Sequence, residues 1–321
     1  MTKDIPHVCN VRSLFLDSGA FSLYYKRAFN KQSRQADYTF YDSEGFWDYV
    51  EAYITFVHKY GHLFDVYANV DVIGDVDASW RVLKYIESRG LRPIPVIHFG
   101  ASESTLRKHL EAGYSYIALG GAAGNGTTQE DYLRWADRMW SVICPRSNGY
   151  HPTCKVHGFA VTAYRPLTRY PWYSVDSASC VKYSAYGFIY IPRKFRGVFS
   201  VYRDVGGRRV FDVPPVSLQV SERSIAGEDI NTFAVFPEST VSKFDNLPWS
   251  SQVHVREWLD KVGVPLGKNS EDGTVLEQGV INSHKMRFLA SRVCFEMLAG
   301  AKLPYKRDAF SLETQDGGLF R

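Results

Sequence analysis

A succession of short apolar runs in this chain ends in residues that can do chemistry. "SLFLDSGAF" (13–21) carries Asp17, "FDVYANVDVIGD" (64–75) carries Asp71, and "PIPVIHFG" (93–100) carries His98. "YSYIALGGAAG" (114–124) brings Gly120 and Gly121, "KVHGFAVT" (155–162) His157, and "WYSVDSAS" (172–179) Asp176. Each has an ordinary use as well: Asp17 before Ser18-Gly19 suits a turn, Asp71 a turn or helix cap, and His98 a hydrogen-bonded core position. Their recurrence at equivalent ends of successive runs argues for one shared site. Paired carboxylates support two chemistries. In one, a carboxylate attacks an anomeric carbon while a second acid moves the proton. In the other the acids hold a metal, which His98 would suit but no H-x-H or HExxH pair supports.

Two further stretches carry alternatives. "CPRSNGYHPTCKVHG" (144–158) sets His151, Cys154 and His157 near one another, in a spacing that matches no strong zinc pattern. In "ALGGAAGNG", Gly124 and Gly126 begin a G-x-G, but Gln129 stands where a dinucleotide fingerprint needs its third glycine. Gly120-Gly121 is either a flexible loop or a place where backbone amides approach a flat ligand that a Cβ would block.

The elements that must position these residues follow from the pattern between the runs. "SEGFWDYVEAYITFVHKYG" (43–61), "DASWRVLKYIESRG" (77–90), "SESTLRKHLEAG" (102–113) and "TQEDYLRWADRMWSVI" (128–143) read as helices. The second and third open on Asp or Ser and close on Gly, as capped helices do. Continuous apolar strands alternating with helices predict βα units on a parallel sheet, and six such units favour a (β/α)8 barrel of the TIM type. In such a barrel the site lies at the strand ends, where the acids and histidines fall.

The barrel core is expected over 1–190 and a smaller hairpin and helical appendage over 191–321. That appendage opens with the aromatic, basic stretch "YGFIYIPRKFRGVFSVYRDVGGRRVFDV", with a Gly206-Gly207 hairpin turn. Its arginines and lysine (Arg193, Lys194, Arg196, Arg203, Arg208, Arg209) form either a phosphate-contacting face or a solvated one. The segment 221–285 reads as loop-rich, and 282–301 as a late helix.

Composition narrows the class. At 45% hydrophobic the 321 residues can bury a sizeable core, and a formal charge of +4 permits a polyanionic partner without requiring one. Five scattered cysteines without CxxC spacing suit a reduced compartment. No apolar leader or membrane-length run is present, so a soluble, cytoplasmic protein is expected.

In this order, the motifs resemble the tRNA-guanine transglycosylase superfamily, whose members exchange guanine for a 7-deazaguanine. "DSGAFS" (17–22) looks like the family's DSGG-aromatic-Q motif, "VIHFG" like its VQGG strand and "ALGGAAG" like its GGLAVGE loop. "ANVDVIGD" is similar to its acid-bearing strand and "YSVDSAS" to its nucleophile strand. The likeness spans roughly residues 13–190. It implies Asp176 as the nucleophile on C1′ and Asp17 as the acid/base. It implies Asp71 as acceptor for the purine N1–H and amine, and Gly120 and Gly121 as backbone contacts to its carbonyl. Phe21 and His157 would sandwich the base, and His98 would stand in for a base-contacting glutamine. Ala20 replaces the second Gly of the family motif. The tRNA enzymes also carry a CxCxxC zinc motif after the nucleophile strand, whereas only Cys180 stands there. A structural zinc is therefore unsupported, no other cofactor is implied, and the wording is closer to shorter, often phage-encoded relatives that modify DNA. The expected substrate is thus DNA, with a preQ0-like base. A tRNA enzyme of the same chemistry and a two-carboxylate barrel glycoside hydrolase are the alternatives.

Overall fold

A computed structural model describes residues 13–30, 32–33, 35–120, 128–161, 163–176, 178–211, 213–222 and 241–300. It divides them into two compact units, one within 13–161 and 172–176, the other within 163–171 and 178–300. Among the described residues the chain leaves the first unit after Val161, returns at Trp172 and leaves again after Asp176. The last departure follows from packing: the helix Ser179–Ala185 packs against the strand Phe188–Ile191 and the late helix, all in the second unit.

The first unit holds six short parallel strands: β1 (Phe15–Leu16), β2 (Val66–Tyr67), β3 (Val96–His98), β4 (Tyr116–Gly120), β5 (Lys155–Gly158) and β6 (Ser174–Val175). β1 pairs with β2, and β3 to β6 form a four-stranded sheet. The Ala68–Ile94 bridge joins the two groups, so spatial order follows chain order. The longer helices between them, each of 9 residues or more, are α1 (Glu44–Tyr60), α2 (Val76–Ser88), α3 (Glu103–Glu111) and α4 (Gln129–Ile143). Each opens where its cap satisfies first-turn amides. Ser43 accepts from Phe46, Asp75 from Ala78, Ser102 from Thr105, and Thr128 forms a capping box with Asp131. The α2 cap is thus Asp75, two residues before the Asp that opens the predicted helix.

Register explains how one face collects the candidate residues. Val96, Ala118, His157 and Ser174 are successive ladder partners, and His98 partners Gly120. With a side-chain period of two, residues two apart share a face. Ala68, Ile94, Val96 and Ala118 fill the inner layer, with Phe15 and Phe159 packed on it. The opposite faces of β1 and β2 meet helices, where Leu16 and Tyr67 pack against the cluster of Val50, Ile54, Val57, Val82 and Ile86. The strands do not lie flat. Four strand spacings would separate β1 and β5 by about 19 Å in a flat sheet. Yet the Phe15 ring from β1 stacks on the His157 ring from β5 at 4.3 Å. The strands curl so that inner side chains meet.

The second unit is mixed. Strand β7 (Phe188–Ile191) pairs antiparallel with β12 (Val216–Gln219). Between them, β8 (Arg193–Phe195) pairs with β9 (Val198–Ser200), and β10 (Arg203–Val205) with β11 (Arg208–Val210). The predicted turn at Gly206-Gly207 closes the last pair with φ +61° and +78°, a left-handed pair that suits glycine. After α5 (Ser179–Ala185) come α6 (Trp249–Val262) and α7 (His284–Gly300). The segment expected to be loop-rich therefore contains a four-turn helix. Its start, Pro248, offers no side-chain cap, and its fully buried residues are only Val255, Trp258 and Leu259. Trp258 lies at 0% exposure and donates its indole N–H to the Ala290 carbonyl of α7 (3.2 Å). Among the described residues no helix is long and apolar enough to cross a membrane.

Candidate active site

At the end of β1 the chain turns through Asp17-Ser18-Gly19 into a short helix, Ala20–Leu23. Gly19 sits at φ +75°, and its N–H donates to Asp17 Oδ1 (3.2 Å). A Cβ there would come within 2.6 Å of the Tyr49 hydroxyl, which itself donates to the Ser18 carbonyl (2.6 Å). Glycine is therefore needed at 19. Position 20 is buried and begins the helix, so alanine fits where the resembled motif has its second glycine.

Asp71 follows β2 on a loop held from α2. Ser79 Oγ accepts the Val72 N–H (2.9 Å) and donates to the Asp75 carbonyl (2.8 Å). From α1, Tyr53 donates to the Ala68 carbonyl (2.6 Å). Asp71 is buried, and its Oδ2 is in direct contact with His98 Nε2. Both lone-pair sites of a free carboxylate would be costly to bury without a donor, and His98 supplies one. His98 thus supports Asp71, instead of standing free toward a base.

Asp176 follows β6 with its side chain 49% exposed. Its N–H donates to the Gly158 carbonyl (3.1 Å), and its Oδ1 accepts the Ala160 N–H (2.8 Å). Ala160 holds φ +59°, a conformation that costs a Cβ-bearing residue free energy and aims its amide at the carboxylate. His157 Nε2 lies 3.8 Å from the same oxygen, while Nδ1 is 2.7 Å from Ser174 Oγ.

The three acids share one region. Burial raises the Asp17 carboxyl above its ordinary value, and the charges of Asp71 and Asp176 add to the rise against the lowering contact from Gly19. Asp17 is open to water yet desolvated by the protein around it, the combination expected on the wall of a cleft. Burial, with Asp17 and Asp71 nearby, also raises the phenols of Tyr49 and Tyr53 and keeps them as donors.

The structure therefore links Asp17 to Asp71 and Asp176, Asp71 to His98, and Asp176 to His157. Other expected residues take different places. Phe21, 40% exposed, lies on the short helix against Tyr25 (4.7 Å). His157 corrects the expected sandwich: Phe15 stacks on its ring, and the Phe159 ring meets it edge-on at 4.6 Å. With the residue only 3% exposed, a purine cannot use that ring as an open platform. Gly120 makes room for a side chain, since a Cβ would meet Phe159 Cβ at 3.1 Å, and its carbonyl accepts from Phe99. Gly121, Gly124 and Gly126 lie outside the described residues.

No set of three or more metal-ligating side chains converges among the described residues. In the His151–His157 stretch, burial pushes the Cys154 thiol up to about 11.

Sequence reasoning passed over Tyr49, Tyr53, Ser79, Ala160, Ser174 and Tyr116. Ser174 and Tyr116 had a signal available: each shares strand parity with a candidate, Ser174 with Asp176 and Tyr116 with Gly120. Comparison with known proteins finds no family model and no curated sequence that matches this chain.

Proposed function

We propose that this chain is a transglycosylase that exchanges guanine in a polynucleotide, with DNA favoured, for a 7-deazaguanine base. The observation that carries the reading is the convergence of Asp17, Asp71 and Asp176 from the ends of β1, β2 and β6, with Asp17 raised by burial and by its two neighbours. Two neighbouring acids in different settings, Asp17 desolvated and Asp176 half-exposed, suit double displacement at an anomeric carbon. We further propose that the first unit is a (β/α) barrel. Strand order that follows chain order and the Phe15–His157 stack support that fold.

In the reaction, Asp176 Oδ2 attacks C1′ as the bond from C1′ to the guanine nitrogen breaks. The bonding pair leaves with the base, and Asp17, whose carboxyl burial and its acidic neighbours raise, is the group suited to supply the proton. Asp176 Oδ1, bound to Ala160 N–H, becomes the ester carbonyl. The incoming base then gives its ring N–H proton to Asp17 and attacks C1′ through that nitrogen, restoring the Asp176 carboxylate. Asp71, braced by His98, presents its other oxygen to purine N–H donors. In the second unit, Arg193 and Arg196 on the β8–β9 hairpin are suited to phosphate. The lack of a CxCxxC motif favours DNA over tRNA.

The test is incorporation of labelled guanine into duplex DNA and, separately, bulk tRNA. Label in DNA, lost in Asp176→Asn together with any covalent nucleic-acid adduct, supports the proposal. Label in tRNA alone overturns the choice of polymer. Label in neither overturns base exchange, and release of reducing sugar from a glycoside would then indicate the hydrolase. Wild-type exchange by Asp176→Asn would return Asp176 to the rank of a turn acid.

A further inference from the structure

Behind Asp176 lies a chain of polar contacts that crosses three neighbouring strands. Tyr116 Oη of β4 is 2.7 Å from Ser174 Oγ of β6, and Ser174 Oγ is 2.7 Å from His157 Nδ1 of β5. The other nitrogen, His157 Nε2, is buried, has no hydrogen-bond partner among the described residues, and lies 3.8 Å from Asp176 Oδ1. Phe15 and Phe159 pack on the ring, so its polar contacts lie at Nδ1 and Nε2.

We infer that Tyr116 and Ser174 hold His157 in the tautomer whose Nε2–H points at Asp176 Oδ1, and so select Oδ2 as the attacking oxygen. The deduction is a proton count. A serine hydroxyl has one proton to donate. If Ser174 gives it to His157 Nδ1, it must accept from Tyr116, whose phenol has a proton to give; His157 then carries its own proton on Nε2, facing a carboxylate. The reverse order, with Nδ1–H donating to Ser174, leaves a bare Nε2 lone pair facing the Asp176 carboxylate in a buried setting. Two lone-pair atoms so placed repel, and Nε2 would have no donor. Ala160 N–H binds Oδ1, and the His157 Nε2–H lies 3.8 Å from the same oxygen, close enough to act on its charge, while among the described residues nothing binds Oδ2. No atom in this relay need change partner during exchange. As the ester forms and breaks, Oδ1 passes between carboxylate and carbonyl, and the two fixed donors stabilise the charge that returns to it. His157 and Ser174 are positioning residues, since neither touches the substrate.

The inference about the oxygen rests on the proposed role of Asp176, but the tautomer does not. Two measurements separate them. The first is a nitrogen–proton correlation spectrum of ¹⁵N-histidine-labelled full-length protein, with His157 assigned by its loss in His157→Gln. Protonated Nε2 with acceptor Nδ1 is expected, shifting to mixed tautomers in Ser174→Ala and returning in Ser174→Thr. Protonated Nδ1 in the wild type, or an unchanged spectrum in Ser174→Ala, overturns the relay. The second is labelled-guanine exchange on duplex DNA. There Ser174→Ala should lower kcat about ten- to hundredfold, as loss of a supporting contact behind a reacting group does, with KM for guanine unchanged and Ser174→Thr restoring it. An unchanged kcat overturns the selection of Oδ2. A wild type that exchanges no base fails the proposed function and with it the choice of oxygen, and the spectrum still decides the tautomer.

Discussion

Replacing Gly19 by alanine should destabilise the turn that carries Asp17 through two separable effects. The first is backbone strain: Gly19 sits at φ +75°, where a residue with a Cβ loses about 1–2 kcal/mol. The second is a collision, because the new Cβ would lie 2.6 Å from the Tyr49 hydroxyl. That hydroxyl must move, breaking its bond to the Ser18 carbonyl, and a net hydrogen bond is worth about 1 kcal/mol. Together the substitution should cost about 2–3 kcal/mol, a fall in Tm of roughly 5–10 °C for a unit of this size. A double-mutant cycle separates the parts. The next Tyr49 atom is Cζ at 4.0 Å, an ordinary contact, so removing the hydroxyl removes the collision. In a Tyr49→Phe background, Gly19→Ala should therefore cost only the strain, with a coupling of about 1 kcal/mol between the two sites. Thermal unfolding of the four proteins, followed by tryptophan fluorescence, measures it. Additive effects, or a single substitution that leaves Tm unchanged, would refute the contact between the β1 turn and α1.

Two other outcomes follow from the same physics. Asp17→Asn should stabilise the protein at neutral pH and abolish base exchange. The wild-type carboxyl is raised above 3.8, so its protonated form favours the fold at low pH, and that contribution is lost as pH rises through the folded value. The denaturation midpoint of Asp17→Asn should therefore exceed the wild type near pH 7, with the gap closing toward about pH 4; a constant gap would be evidence against a raised Asp17. In the second unit, Trp258→Ala removes a fully buried indole and its bond to Ala290, at a cost of about 3–5 kcal/mol. Hydrogen exchange in α7 should speed up accordingly, and unchanged protection there would show that α6 does not support α7.

Much of the first unit was legible because its signals are local. Ser43, Ser102 and Thr128 announce helix starts by offering an oxygen to first-turn amides, and the helices begin there. Gly90 and Gly113, at φ +82° and +87°, end the helices that the pattern ends. The helix Trp249–Val262 was not legible, since Pro248 brings no capping oxygen and the helix buries few residues. The division after Asp176 was hidden as well. It depends on where Ser179–Ala185 packs, and that is decided by partners far along the chain.

For the site, the residue types and their strand-end positions were enough to nominate Asp17, Asp71, His98, His157 and Asp176, because strand periodicity is a property of the local chain. Roles depended on neighbours distant in sequence. His98 became the brace of Asp71, and His157 lost its open ring to Phe15, 142 residues earlier by numbering. Tyr116 and Ser174 are 58 residues apart, yet meet behind Asp176. A run of residues determines which side chains point inward, since alternation is set by the backbone. Which inward side chains meet is decided only when the strands pair in register and curl, because a hydrogen bond needs atoms about 3 Å apart and local sequence does not fix that distance.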